Sequence, residues 1–114
     1  MTIYISGPIT GRKRMETARA FLRAERVIKG AGHKAVNPYR MAPFGLSWEK
    51  YMRLAREILA FSGEIDAIYM LDGWSDSFGA MLERQWAKRK GIPVLYQTAA
   101  DRGKYEKDRW WNNG

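Results

Sequence analysis

Apolar and polar positions along this chain fall into blocks, and the period changes from block to block. Thr2-Ile3-Tyr4-Ile5-Ser6 is a short run of β-branched and aromatic residues, which predicts a strand and, from its place, a central one that starts the sheet. From Met15 to Lys29 the period lengthens. Ala18, Phe21, Leu22 and Ile28 make a helical stripe, with Arg19, Arg23 and Arg26 largely outside it. Gly30 and Gly32 stop this helix, and Lys34-Ala35-Val36-Asn37 is a second strand ended by Pro38. Tyr39 to Leu46 reads as a loop suited to form one wall of a pocket. Ser47 is the N-cap of a helix running to about Phe61. Its broad face of Trp48, Tyr51, Met52, Ala55, Ile58 and Leu59 reads as core. Ser62-Gly63 ends it, and Ala67-Ile68-Tyr69-Met70-Leu71 is a third, buried strand. A loop containing Gly and Ser leads to a helix over Leu82 to Lys90, and Ile92 to Tyr96 is a fourth strand.

Strands alternating with helices predict an α/β fold: a Rossmann-like or flavodoxin-like three-layer sandwich with a mostly parallel sheet of four or five strands. In such a sheet the loops after Ser6, Asn37 and Leu71 meet over one crevice at the carboxyl edge. The 114 residues suffice for one modest core. Residues 1–97 read as the α/β domain and 98–114 as a polar, charged tail. Trp110-Trp111 near its end reads either as docking on this chain or a second copy, or as part of a disordered tail.

The net charge of +8 favours anionic partners, although a merely soluble basic surface is equally compatible with it. Nucleic acid is not the expected partner: no helix-turn-helix, zinc finger or stacking-sheet signature accompanies the five tryptophans. Cysteine is absent, which excludes disulfides and thiolate metal sites, and His33 is a lone histidine that reads as a surface residue. No metal and no organic cofactor is implied. No apolar run is long enough to suggest a signal peptide or a membrane span.

The candidate chemistry centres on Glu83. At ~100° per residue it lies among Gly79, Leu82, Trp86 and Ala87 on the inward face of its helix. An inward carboxylate costs stability unless it is paired or wetted by a pocket. Position 80, where a capping-box partner would stand, is Ala80, so the pattern leaves an ion pair or a functional site. A second feature is Gly7-Pro8-Ile9-Thr10-Gly11, followed by Arg12-Lys13-Arg14. Backbone amides and cations together suit a phosphate or a carboxylate, but a turn with a solvated basic run gives the same pattern. The loop lacks the spacing of either common nucleotide-binding motif. Asn37 at the carboxyl edge fits a ligand contact and a turn equally well.

Tyr4-Ile5-Ser6-Gly7-Pro8-Ile9-Thr10-Gly11-Arg12 resembles the opening motif of the nucleoside 2-deoxyribosyltransferase superfamily. The nearest branch is that of the 2′-deoxynucleoside 5′-monophosphate N-glycosidases, with small phage and bacterial relatives. Ser77-Phe78-Gly79-Ala80-Met81-Leu82-Glu83 resembles the second motif of that branch, Ser-x-Gly-x-x-x-Glu. The resemblance implies a covalent mechanism, in which Glu83 attacks the anomeric carbon as the base leaves, Tyr4 holds its carboxylate and a helix N-terminus helps keep it ionised. It implies a first phosphate loop formed by Gly7, Ile9, Thr10, Gly11 and Arg12, with Ser6 and Pro8 also among the substrate-binding residues and Lys13 and Arg14 adding charge. Ser77 matches a phosphate-contacting serine, and Gly79 allows close backbone approach. Asn37 and Trp74 are placed on the base or sugar side by their loops.

The implied ligand is a nucleoside monophosphate or nucleoside, the implied assembly a homodimer or larger, and the implied setting the cytoplasm of a bacterial or phage-infected cell. One departure stands out. The family's aspartate in the helix before the third strand falls here on Ile58, with Glu57 as the nearest substitute and Asp72 and Asp76 as further candidates. Asp66 matches the aspartate that starts the third strand. Two functions follow as expectations: cleavage or base exchange of an N-glycosidic bond through a glycosyl-Glu intermediate, or non-catalytic nucleotide binding or sequestration on the same fold.

Overall fold

The structure, a computed structural model, describes residues 1–41 and 46–105. Trp110-Trp111 lies outside the described residues. Strands β1 (Thr2–Ser6), β2 (Lys34–Val36), β3 (Ala67–Met70) and β4 (Val94–Tyr96) form one sheet in the order β2-β1-β3-β4. Every pairing is parallel, with Tyr4 opposite Val36 on one side and Ile68 on the other. The expected α/β sandwich is therefore what forms, with four strands among the described residues.

The pleat divides β1 between two cores. Ile3 and Ile5 face α1 (Arg14–Gly30), where they meet Phe21, Ala24 and Ile28. Tyr4 faces the other way, toward Ala55 and Leu59 and toward Ala80 and Ala87. Ala55 belongs to α3 (Trp48–Arg56), and Ala80 and Ala87 to α4 (Phe78–Arg89). Between β2 and α3 comes α2 (Pro38–Met41), a single turn where the sequence suggests only a loop. Helix α3 runs on into a π-helical turn, Glu57–Phe61, which places Leu59 in the core.

Helix α4 begins at Phe78, four positions before the apolar period becomes visible at Leu82. Ser77 supplies the reason: its hydroxyl accepts the Ala80 N–H at 3.2 Å and caps the first turn. Beyond β4 the chain does not become a loose tail at once. Thr98 caps α5 (Ala99–Lys104) by accepting the Asp101 N–H at 3.1 Å, and Tyr105 stacks on Tyr96. The structured unit therefore extends past residue 97, to Tyr105 among the described residues. No helix among them is long and apolar enough to cross a membrane.

Candidate functional site

In a sheet ordered β2-β1-β3-β4 the chain leaves β1 toward β2 and later returns to β3 on β1's other side. The crevice at the carboxyl ends of such neighbours is where open α/β sheets bind ligands. A cavity of about 460 Å³ lies there. That is within the roughly 300–1,000 Å³ usual for small-molecule sites. Its walls come from the loop after β1 (Gly7, Ile9, Thr10), α2 (Tyr39, Arg40), α3 (Trp48, Tyr51, Met52) and the start of α4 (Ser77, Gly79, Ala80), with Arg14 and Leu46 beside them. Glu83 lines it too, although only 2 % of its surface is exposed.

Glu83 sits one turn and a half into α4, directly over β1. Tyr4 and Ser6 are two residues apart on that strand, so the pleat aims both hydroxyls at the same side. Ser6 Oγ donates to Glu83 Oε1 at 2.7 Å, and Tyr4 Oη donates to Glu83 Oε2. Two neutral donors hold the carboxylate. Burial pushes its pKa up to about 7, against the two hydroxyls, which pull it down. Burial, with the carboxylate beside it, also holds the Tyr4 phenol well above its ordinary value, so Tyr4 stays a donor. Tyr51 reaches the same cluster from α3 and is raised for the same reasons, burial first. The result is a carboxylate poised near neutral pH at the floor of a pocket, the condition expected of a nucleophile or a base.

Gly79 lets α4 pack closely on α3. A Cβ at that position would lie 3.2 Å from Met52 Sδ and 3.5 Å from Trp48 Nε1, so a side chain would press on α3. Gly7 is under a stricter limit: a Cβ there would come within 2.9 Å of Leu71 Cβ. Because α4 starts at Phe78, Glu83 is in the second turn. The helix dipole fades within the first turn, so it gives Glu83 less help than the resemblance implies, and Ser77 and Gly79 instead lie at the electropositive end.

The expected residues divide. Tyr4, Ser6, Gly7, Ile9, Thr10, Ser77, Gly79 and Glu83 come together, with Ser6 serving the Glu83 carboxylate. The others sit elsewhere. Trp74 is buried against Tyr96 and Tyr105, its Nε1 donates to Asp101 at 3.1 Å, and Arg84 lies over its ring at 4.9 Å. Its apolar surface is spent in that cluster rather than on a base. Asn37 is buried, and its Oδ1 accepts the Tyr39 N–H at 3.0 Å, which is the turn role. Pro8 and Arg12 line a different cavity of about 400 Å³ beside Asp72 and Gln97. Gly11 takes a φ of 78° in an exposed turn. Glu57 is exposed at the start of the π turn and does not line the Glu83 cavity. Asp76 is exposed in the 3-10 turn Trp74–Asp76, and Asp66 Oδ2 accepts the Thr2 N–H at 2.8 Å, tying β1 to β3. Glu83 is thus the one carboxylate among the described residues that line its cavity.

Trp48, Tyr51 and Met52, which the sequence pattern assigned to core, also line the cavity, together with Tyr39, Arg40 and Leu46 from the segment expected to wall a pocket. Periodicity shows that an α3 face is apolar, not whether protein or open space lies opposite it. Trp48 stays 40 % exposed and stacks on the still more exposed Phe78 at 6.0 Å. Among the described residues there is no group of three or more His, Cys, Asp or Glu able to hold a metal ion. No curated protein matches the chain. Residues 1–96, which hold the sheet and every element of this cavity, match the family described as a domain of unknown function, DUF4406, and the chain belongs to that family.

Proposed function

We propose that the protein cleaves, or exchanges the base of, the N-glycosidic bond of a nucleoside 5′-monophosphate. The observation that carries this reading is the Glu83 carboxylate, buried and held among the described residues by the Tyr4 and Ser6 hydroxyls, in the wall of an open cavity. Such a carboxylate is costly to the fold and fits a reaction that needs an anionic oxygen against one face of a sugar. Thr10, Ser77 and the α4 N-terminus suit a phosphate, while Trp48, Tyr39 and Met52 offer apolar and aromatic surface to a base. The motif resemblance at Tyr4–Arg12 and Ser77–Glu83 supports the same reading.

In the first step a Glu83 oxygen bonds to C1′ as the C1′–N bond breaks, and the electron pair leaves with the base. Water then attacks C1′, its hydroxyl stays on the sugar, Glu83 is released and the remaining proton ends on the base. A second base in place of water gives exchange. The two hydroxyls shift with the carboxylate's charge, donating most strongly to the free anion and so helping it leave in the second step.

A second reading has its own support. Glu83 is unaccompanied by another carboxylate among the described lining residues, so no acid is at hand to protonate the departing base. That favours a protein that binds nucleotide without turnover. Incubation with ribo- and deoxynucleoside monophosphates, followed by chromatography for free base, separates the two. Base released by the parent and lost in Glu83→Gln supports the glycosidase. Turnover that survives Glu83→Gln overturns it. Intact nucleotide that raises the melting temperature moves the assignment to the binder.

A further inference from the structure

A second buried carboxylate, Glu25 on α1, is only 5 % exposed and takes no part in the chemistry above. Its two oxygens each accept a hydrogen bond at 2.9 Å, one from Arg40 Nε and one from Arg40 Nη2. Asn37 lies beside Glu25 and helps lower its pKa, while its Oδ1 accepts the Tyr39 N–H. Tyr39 Oη donates to the Arg14 carbonyl at 3.3 Å, so the short α2 turn is tied to α1 through Tyr39 and Arg40. Arg40 also lines the Glu83 cavity. An arginine on a one-turn helix would otherwise lose much rotamer freedom on meeting a ligand, and the fork to Glu25 has already fixed it.

The fork also decides what Arg40 can recognise. Nε and one Nη2 hydrogen are committed to Glu25, so the remaining donors lie along the outer edge of the guanidinium plane. The positive charge has Glu25 behind it, a carboxylate that Lys29 Nζ also approaches, at 3.9 Å. A phosphate dianion placed there would meet that carboxylate at short range, whereas a neutral acceptor would not. Topology agrees. Glu83 lies over β1, Ser77 follows β3 on one side of it, and Arg40 follows β2 on the other. With phosphate near Ser77 and the sugar over Glu83, the base points toward Arg40.

Resting on the nucleotide reading of this cavity, we infer that Arg40, fixed by Glu25, selects bases that present a ring carbonyl beside a ring nitrogen, such as guanine or hypoxanthine, over adenine. A guanidinium only donates. The O6 and N7 acceptors of guanine suit it, while adenine sets an amino donor against it.

The test is calorimetric binding of dGMP, dIMP, dAMP and 2-deoxyribose 5-phosphate to the full chain carrying Glu83→Gln, which blocks turnover. The same panel is run with Arg40→Gln or Glu25→Gln added. The expected result is a preference of about ten-fold or more for the oxo bases. Arg40→Gln should erase or reverse it, since an amide can pair with adenine, and Glu25→Gln should weaken it. Binding of 2-deoxyribose 5-phosphate should stay unchanged. A preference indifferent to Arg40→Gln, or an equal loss for 2-deoxyribose 5-phosphate, overturns the inference while leaving the nucleotide site standing. Failure of every nucleotide to bind, with no base released by the parent, overturns the nucleotide reading itself and this inference with it.

Discussion

Two glutamates are buried on opposite faces of the same sheet, and they are held in opposite ways. Glu25 has a guanidinium fork, which keeps its pKa below the usual carboxylate range. Glu83 has two neutral hydroxyls, and burial wins, lifting it to about 7. A charged partner makes a buried carboxylate a fastening, whereas neutral partners keep it available for chemistry at a cost in stability. The difference supports the proposed reactive role of Glu83 and leaves Glu25 as its structural counterpart.

The largest expected break in this contrast comes from Glu83→Gln in stability rather than activity. Below about 4.5, its ordinary value, Glu83 is protonated in both states. Between there and about 7 the unfolded chain ionises while the folded one keeps its proton, so rising pH favours unfolding. Above about 7 the penalty levels off at on the order of 3 kcal/mol. Urea midpoints at pH 8 should therefore place Glu83→Gln above the parent by about 1–3 kcal/mol, shrinking toward zero near pH 4. A parent curve flat across that window would show Glu83 to be unperturbed.

Glu25→Ala should go the other way. Loss of the fork leaves Arg40 to solvent and removes charge-assisted bonds, costing about 1–3 kcal/mol at neutral pH. The loss should fade as pH falls through the depressed Glu25 pKa, giving a slope opposite in sign to that of Glu83. Tyr4→Phe sharpens the contrast at the reactive site. With one donor gone, base release should fall roughly 10–100-fold, and the ascending limb of its pH profile should move upward from about 7. An unmoved limb would assign the titration to another group. The smallest effect should be that of Gly79→Ala. Met52 is flexible and can give way, so stability should change by under about 1 kcal/mol while ligand affinity weakens more clearly.

Much of this was legible in the chain. The alternation of short apolar runs with amphipathic stretches was enough for the parallel sheet, and Glu83 betrayed itself by facing inward. Glu25 meets the same criterion: it lies four residues after Phe21 and three before Ile28, on the buried stripe of α1. Applying the wheel to every acidic residue would have found it. The start of α4 was hidden because Gly79 and exposed Phe78 carry no helical period. Trp74 was misplaced because a loop's position in a sheet does not say to which side its side chain folds. The bidentate reach of Arg40 to Glu25 joins positions fifteen apart in sequence, and no local pattern encodes that pairing.

The pleat of β1 has one more consequence. Its odd residues, Ile3 and Ile5, plug one core, while Tyr4 and Ser6 hold the reactive carboxylate on the other side. A slip of that strand by a single position would present isoleucine to Glu83 and bury hydroxyls against α1. On the glycosidase reading, misregistered molecules would therefore be catalytically silent, however compact they are. During refolding, nucleotide cleavage should then return only with correct strand alignment, so turnover would serve as a clock for alignment that compactness and helix content do not provide.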